Sequence, residues 1–191
     1  ASPINQSPLS LGIDLVVHSA TKYISGHSDT VAGVVVGGAA LVERIDQTVR
    51  PYLGASLSAQ DAARLIRGLR TLPIRIQRHH ESGLTIATRL AARNDVVRVC
   101  HPGLQPKKSS CLAGYGSLFS FELSDAIDIP TFCDALELFH LGVSWGGYES
   151  LIVPAEVSLN QAGENNAAVD FGVPPRMIRL FVGLEDPEDL W

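Results

Sequence analysis

Apolar and polar positions divide the chain into short β-branched runs and longer helical stretches. Asp14-Leu15-Val16-Val17-His18 and Val31 to Val36 predict strands buried on both faces, as in an α/β sheet. A polar connection of small residues, Ser19 to Asp29, lies between them, and residues 39 to 49 predict a helix after the second run. Ser58 suits an N-cap with Asp61 three positions on, and Ala62, Leu65, Ile66 and Leu69 mark one apolar helix face. Pro73 is expected to break or kink that helix, because it lacks an N–H and its ring crowds the preceding turn. A second periodic stretch, Ile76, His80, Leu84, Ala87 and Ala91, carries helix on to residue 93.

Beyond it, Val96 to Val99, Ser117 to Leu123, Leu151 to Val153 and Met177 to Val182 read as strands, and Pro130 to Leu141 as a helix. The division this suggests is residues 1–74 as part of one α/β domain and 75–191 as a smaller α+β domain. Both ends read as cut. Ala1 to Ser10 is loop that feeds at once into a buried strand. Glu185 to Asp189, with Pro187 just inside and acidic side chains at the positive end, starts a helix that the chain leaves after one turn.

With 46% hydrophobic and only 18% charged residues, the chain can fill a core and is not disordered. A net charge of −5 argues against nucleic acid as a partner. The longest apolar stretch, Val31 to Leu41, is broken by Gly33, Gly37 and Gly38 and falls short of a membrane span. Cys100, Cys111 and Cys133 form no CxxC pair, which fits a reduced, cytoplasmic protein without a disulfide framework or zinc site. His79 and His80 point to different helix faces, so no metal is expected there, and the acids at 185–189 read as a helix start rather than a calcium site. The arginines at 64, 67, 70, 75 and 78 read as a solvated or subunit-facing side of the long helix.

The chemistry centres on Lys22, placed just after an apolar run among serine, threonine and glycine. A desolvated amine gives up its proton more readily and can then join an aldehyde as a Schiff base. Ser19 and Thr21 add hydroxyl donors suited to a phosphate beside that amine. Read on position alone, an ordinary lysine snorkelling from a strand end fits better.

The stretch Ser19-Ala-Thr-Lys-Tyr23 followed by Gly26-His-Ser-Asp29 resembles the cofactor-lysine segment of the Cys/Met-metabolism family of pyridoxal-phosphate enzymes. Gly68-Leu-Arg-Thr-Leu72, His101-Pro-Gly-Leu104, Ser117 to Phe121, Ser144-Trp-Gly-Gly-Tyr-Glu-Ser-Leu151 and Ile178 to Asp186 extend the likeness over nearly the whole chain, in the family's order. The 144–151 loop and the Arg-His-His-Glu-Ser run at 78–82 are most similar to bacterial cystathionine β-lyase, in its C-terminal half. The γ-enzymes often carry another residue at the place of Trp145.

The resemblance implies part of a fold-type I large domain followed by a smaller C-terminal one, with pyridoxal 5'-phosphate as cofactor. It implies Lys22 as Schiff-base lysine and general base, and Ser19 and Thr21 as phosphate ligands. Arg179 would grip the substrate α-carboxylate, with Ser144 and the backbone of Trp145 beside it. The implied reaction is β-elimination of cystathionine, with the γ-synthase, γ-lyase and methionine γ-lyase activities as alternatives. A homotetramer built from site-sharing dimers is implied as well. Family members place a ring-stacking aromatic, an acidic partner for the pyridine nitrogen and a glycine-containing phosphate turn upstream of the lysine, and residues 1–21 hold none of them. The stretch from Leu104 to Gly114 is also shorter than the family's, and Val143 stands where the nearest lyases can carry a bulkier residue. The chain therefore reads as one piece of a working lyase, or else as an inactive remnant that acts only through subunit association.

Overall fold

Alternation along β4 (Leu118–Leu123) sends Phe119, Phe121 and Leu123 to one face of a sheet, as the pleat requires. Its antiparallel neighbour β7 (Met177–Phe181) sets Leu180 opposite Phe119 and Ile178 opposite Phe121, so both strands offer the same apolar surface. The computed structural model describes residues 2–54, 56–105, 111–161 and 165–191. Within these, β4 and β7 are central in a five-stranded sheet of order β3-β4-β7-β6-β5, with β3 at Val96–Cys100, β5 at His140–Leu141 and β6 at Leu151–Pro154. Pairing is antiparallel except between β5 and β6, which makes the sheet mixed. Ile86, Ala87 and Leu90 of the long helix close the apolar face, together with Ile152, Phe139 and Leu190. Each fully buried phenylalanine here contributes roughly 1.5–3 kcal/mol.

That helix, α3, runs unbroken from Ala59 to Ala91, and Pro73 does not end it. Side chains hold the turn around the proline from outside: the Thr71 hydroxyl and the Arg75 guanidinium both donate to the Gly68 carbonyl, while Leu72 and Ile76 are buried on either side. The N-cap expected at Ser58 is present, its hydroxyl accepting from the Asp61 N–H at 3.0 Å. The buried stripe differs from the expected face. Leu65 is buried, but Ile66 and Leu69 are exposed, and burial instead follows Gly68, Leu72, Ile76, His79, Gly83, Ile86 and Leu90. Gly68 decides this, because a Cβ there would collide with the Ile24 and Ser25 carbonyls. Arg75 belongs to the same stripe at 6% exposure, so it is not part of a solvated face, whereas Arg64, Arg67 and Arg70 are exposed.

Two further expectations are corrected. The helix read from Pro130 to Leu141 is α4 (Ile129–Asp134), capped by Asp128. Past it Phe139 drops into the core, and His140–Leu141 pair with Leu151–Ile152 as β5. Edge pairing outcompetes further helix there. The runs near the start of the chain form an antiparallel pair, β1 (Leu15–Ser19) with β2 (Gly33–Gly37), that is not buried on both faces: Val17 is 73% exposed. Among the described residues these strands pair only with each other, so one face has no cover. α1 (Ala39–Thr48) follows β2 as expected, and α2 (Arg50–Leu53) follows it. The division placed at residue 74 falls within α3, which packs on both the β1–β2 side and the five-stranded sheet. No helix among the described residues is long and apolar enough to cross a membrane.

Candidate active site

From the end of β1 the backbone enters one π-type turn, Ala20–Ile24, closed by Ser25 N–H to the Ala20 carbonyl and Gly26 N–H to the Lys22 carbonyl, both 2.8 Å. Lys22 sits inside it at φ −89°, ψ −121°, which is not helical. Its neighbours fix it there. Ala20, Tyr23 and Ile24 are buried, and the Tyr23 ring meets His79 and Phe181 edge-on at centroid distances of 5.5 and 6.2 Å. Burial pushes the Tyr23 phenol up to about 12, partly offset by its hydrogen bonding with Ser117. Apolar anchoring on both sides leaves Lys22 as the side chain that projects, half-buried, from the turn.

The loop between β5 and β6 comes to meet it. Lys22 Nζ donates to the Ser144 hydroxyl at 2.9 Å and stands 4.5 Å from the centre of the Trp145 ring. The Arg179 guanidinium, from β7, lies 5.9 Å from the same ring and donates to the Val143 carbonyl. Gly146, at φ +84°, makes this approach possible: a Cβ would stand 2.6 Å from the Tyr23 nitrogen and 2.8 Å from the Lys22 carbonyl carbon. The far end of the loop is tied on two sides. The Ser28 hydroxyl donates to Glu149, while the Ser150 N–H and hydroxyl both donate to the Glu185 carboxylate at 2.9 Å. The Gly183 N–H in turn donates to the Ser150 hydroxyl at 2.8 Å.

Two cations therefore share one indole. Neither Lys22 nor Arg179 has a carboxylate within ion-pair distance among the described residues. Desolvation draws the Arg179 guanidinium below its ordinary value, though it stays protonated. The Trp145 Nε1–H is buried and finds no acceptor among the described residues. A guanidinium, an ammonium, a hydroxyl and an unanswered N–H together make a site of donors, suited to an anionic ligand such as a carboxylate or phosphate.

Of the residues singled out in the sequence, Lys22, Ser144, Trp145 and Arg179 converge here. Ser19 and Thr21 stand at the base of the lysine turn. The Ser19 side chain is exposed and caps nothing. The Thr21 hydroxyl accepts from the Ala32 N–H at 2.9 Å and lies 3.3 Å from the Ala32 carbonyl, tying the turn to the start of β2. To bind a phosphate, its hydrogen would swing away from that carbonyl. Sequence reasoning missed Gly146, Ser28, Glu149, Glu185 and Arg75. Gly146 had a signal in the paired glycines after Trp145, and Arg75 had one in its helical phase with Leu72, Ile76 and His79.

Fold and site together define a class, mixed α/β proteins in which one lysine amine projects into a cluster of hydrogen-bond donors. The chain belongs to the family described as Cys/Met metabolism PLP-dependent enzyme, which matches residues 1–191, and members of this family depend on pyridoxal phosphate. The chain is 41% identical to an L-methionine gamma-lyase of Pseudomonas putida, over 99% of its own length and 49% of the relative's. It is also 41% identical to a putative cystathionine beta-lyase of Rhizobium johnstonii, over 100% of its own length and 49% of the relative's. In three dimensions it resembles cystathionine gamma synthase from Xanthomonas oryzae pv. oryzae, solved in complex with cystathionine, with a TM-score of 0.89 and 38% identity over 99% of this chain and 50% of that one. The chain thus spans about half the length of the relatives it matches.

Proposed function

We propose that this chain is the lysine-bearing part of a carbon–sulfur lyase of the cystathionine β-lyase type, which with water converts cystathionine to homocysteine, pyruvate and ammonia. The observation that carries the reading is the placement of Lys22 Nζ against Ser144 and over Trp145, with the Arg179 guanidinium 5.9 Å from the centre of the same ring. Pyridoxal phosphate, bound through Lys22 and the hydroxyls of Ser19 and Thr21, would supply an electron sink next to the substrate Cα. The protein's own groups do the rest. Arg179 holds the α-carboxylate through its planar fork, and so fixes which Cα bond faces the reacting centre. The Lys22 amine, released, takes the Cα proton, and Ser144 holds that amine while it waits. Trp145 covers the amine with an apolar face and keeps water from it.

The β reading, rather than a γ one, rests on the 144–151 loop with its Trp145 and on the 78–82 run, since relatives of both kinds are equally identical to this chain. Cytoplasmic location and assembly into a tetramer of paired dimers belong to the same proposal. Product analysis tests the specificity. The full-length protein carrying this chain, supplied with pyridoxal phosphate and cystathionine, should release pyruvate and homocysteine. Release of 2-oxobutyrate and cysteine would replace the β reading with a γ one.

A further inference from the structure

Among the described residues, the lysine turn leaves two backbone carbonyls, those of Tyr23 and Ile24, without backbone donors at its C-terminal end. Both are answered by one side chain from 51 and 52 residues away: Arg75 Nη1 donates to the Tyr23 carbonyl at 2.8 Å and Nη2 to the Ile24 carbonyl at 3.4 Å. Nη2 also donates to the Gly68 carbonyl at 2.9 Å, and Nε to the Thr71 hydroxyl at 3.1 Å. Arg75 is 6% exposed and has no carboxylate within ion-pair distance among the described residues. A buried cation answered only by neutral oxygens is an expensive way to cap a turn, and a sequence selected for stability alone would place an apolar residue there. The surroundings are built to admit it. Gly26 at φ +72° lies directly against the guanidinium, where any Cβ would overlap it, and Gly68 lets the Ile24 and Ser25 carbonyls reach the helix.

We infer that Arg75 is a positioning residue for Lys22. Its planar fork spans two successive carbonyls one and two residues past the lysine and locks the turn against α3, which sets the direction in which the amine projects. Lysine cannot do this, because its single ammonium has no fixed spacing between donors. The inference deepens the proposed function and rests on Lys22 being the cofactor lysine.

The test measures how fast Lys22 acquires pyridoxal phosphate, not turnover. The full-length protein is freed of cofactor, mixed with pyridoxal phosphate and quenched with borohydride at intervals, and the pyridoxyl group on the peptide containing Lys22 is quantified by mass spectrometry. Arg75→Lys, with helix content unchanged by circular dichroism, should acquire the label about tenfold more slowly than the parent, and Arg75→Met more slowly still. An Arg75→Lys rate within about twofold of the parent overturns the inference even if Arg75→Met fails to fold. An Arg75→Lys variant that does not fold also overturns it, by making the residue a scaffold element alone. A parent protein that never labels Lys22 overturns the proposed function and this inference together, whereas a labelled parent with unaffected variants overturns this inference alone.

Discussion

Lys22 stands at non-helical φ and ψ inside its turn, and side chains and backbone of the 142–150 loop and of α3 close around it. Gly146 makes one of the close approaches to this turn. Substituting alanine there both forces a Cβ into the Lys22 and Tyr23 backbone and strains a residue at φ +84°. Gly146→Ala should therefore lose about 1–3 kcal/mol of stability by urea denaturation, and should weaken cofactor capture. His79 carries a different prediction. It is fully buried, its Nδ1 faces the Val182 carbonyl at 3.1 Å, and burial drops its pKa from 6.5 to about 4. The folded protein thus keeps the ring neutral after the unfolded chain has begun to bind a proton. The stability this gives is complete above about pH 6.5 and disappears as pH falls towards about 4, by roughly 3 kcal/mol in all. His101, shifted down by burial as well, adds in the same direction. Urea midpoints should fall steeply between about pH 7 and pH 5, and less steeply in His79→Leu. At this level the sequence displayed the candidate side chains that come together but not what holds them. Lys22, Ser144, Trp145 and Arg179 were legible because each stands in a distinctive motif. Arg75 was not, because an arginine in helical phase with apolar residues looks the same whether its guanidinium turns to water or to buried carbonyls.

The secondary elements divide between those fixed by local pattern and those fixed by partners. β3, β4, β6 and β7 lie within a residue or two of where alternation put them, and the Ser58 cap is where its side-chain chemistry requires. Pro73 is the instructive exception. A helix interior normally rejects proline, but the packing of the buried Leu72 and Ile76 outweighs the bond that Pro73 denies the Leu69 carbonyl, and side-chain donors at Gly68 brace the turn before it. The overlong reading of α4 failed for the opposite reason, since His140 and Leu141 gain more from pairing with β6 than from further helix. The central β4–β7 pair carries the core and should respond accordingly. Phe121, 1% exposed between α3 and α4, has no room to be replaced, so Phe121→Ala should cost about 3–5 kcal/mol in urea or thermal denaturation.

Across the whole molecule, α3 unites what the sequence divided in two. Its first half packs on the lysine turn, and its second half closes the five-stranded sheet that carries Arg179. One helix therefore packs against both the turn that carries Lys22 and the sheet that carries Arg179, and the 142–150 loop contacts both side chains. Mixed α/β architecture and family membership were both readable from the residues, the first from periodicity and the second from motifs. The open face of β1 and β2 was not, because β-branched runs report a tendency to be covered and not what covers them. The central claim is that Lys22 is the cofactor lysine, and the composition makes it easy to check. The chain has three lysines, Lys22 and the adjacent pair Lys107 and Lys108, and the pair is far from Lys22 in sequence. Borohydride reduction of the full-length protein with pyridoxal phosphate, followed by peptide mass mapping, should place one pyridoxyl group on Lys22 and abolish it in Lys22→Ala. An unlabelled Lys22, or a label carried only by Lys107 or Lys108, would contradict the account.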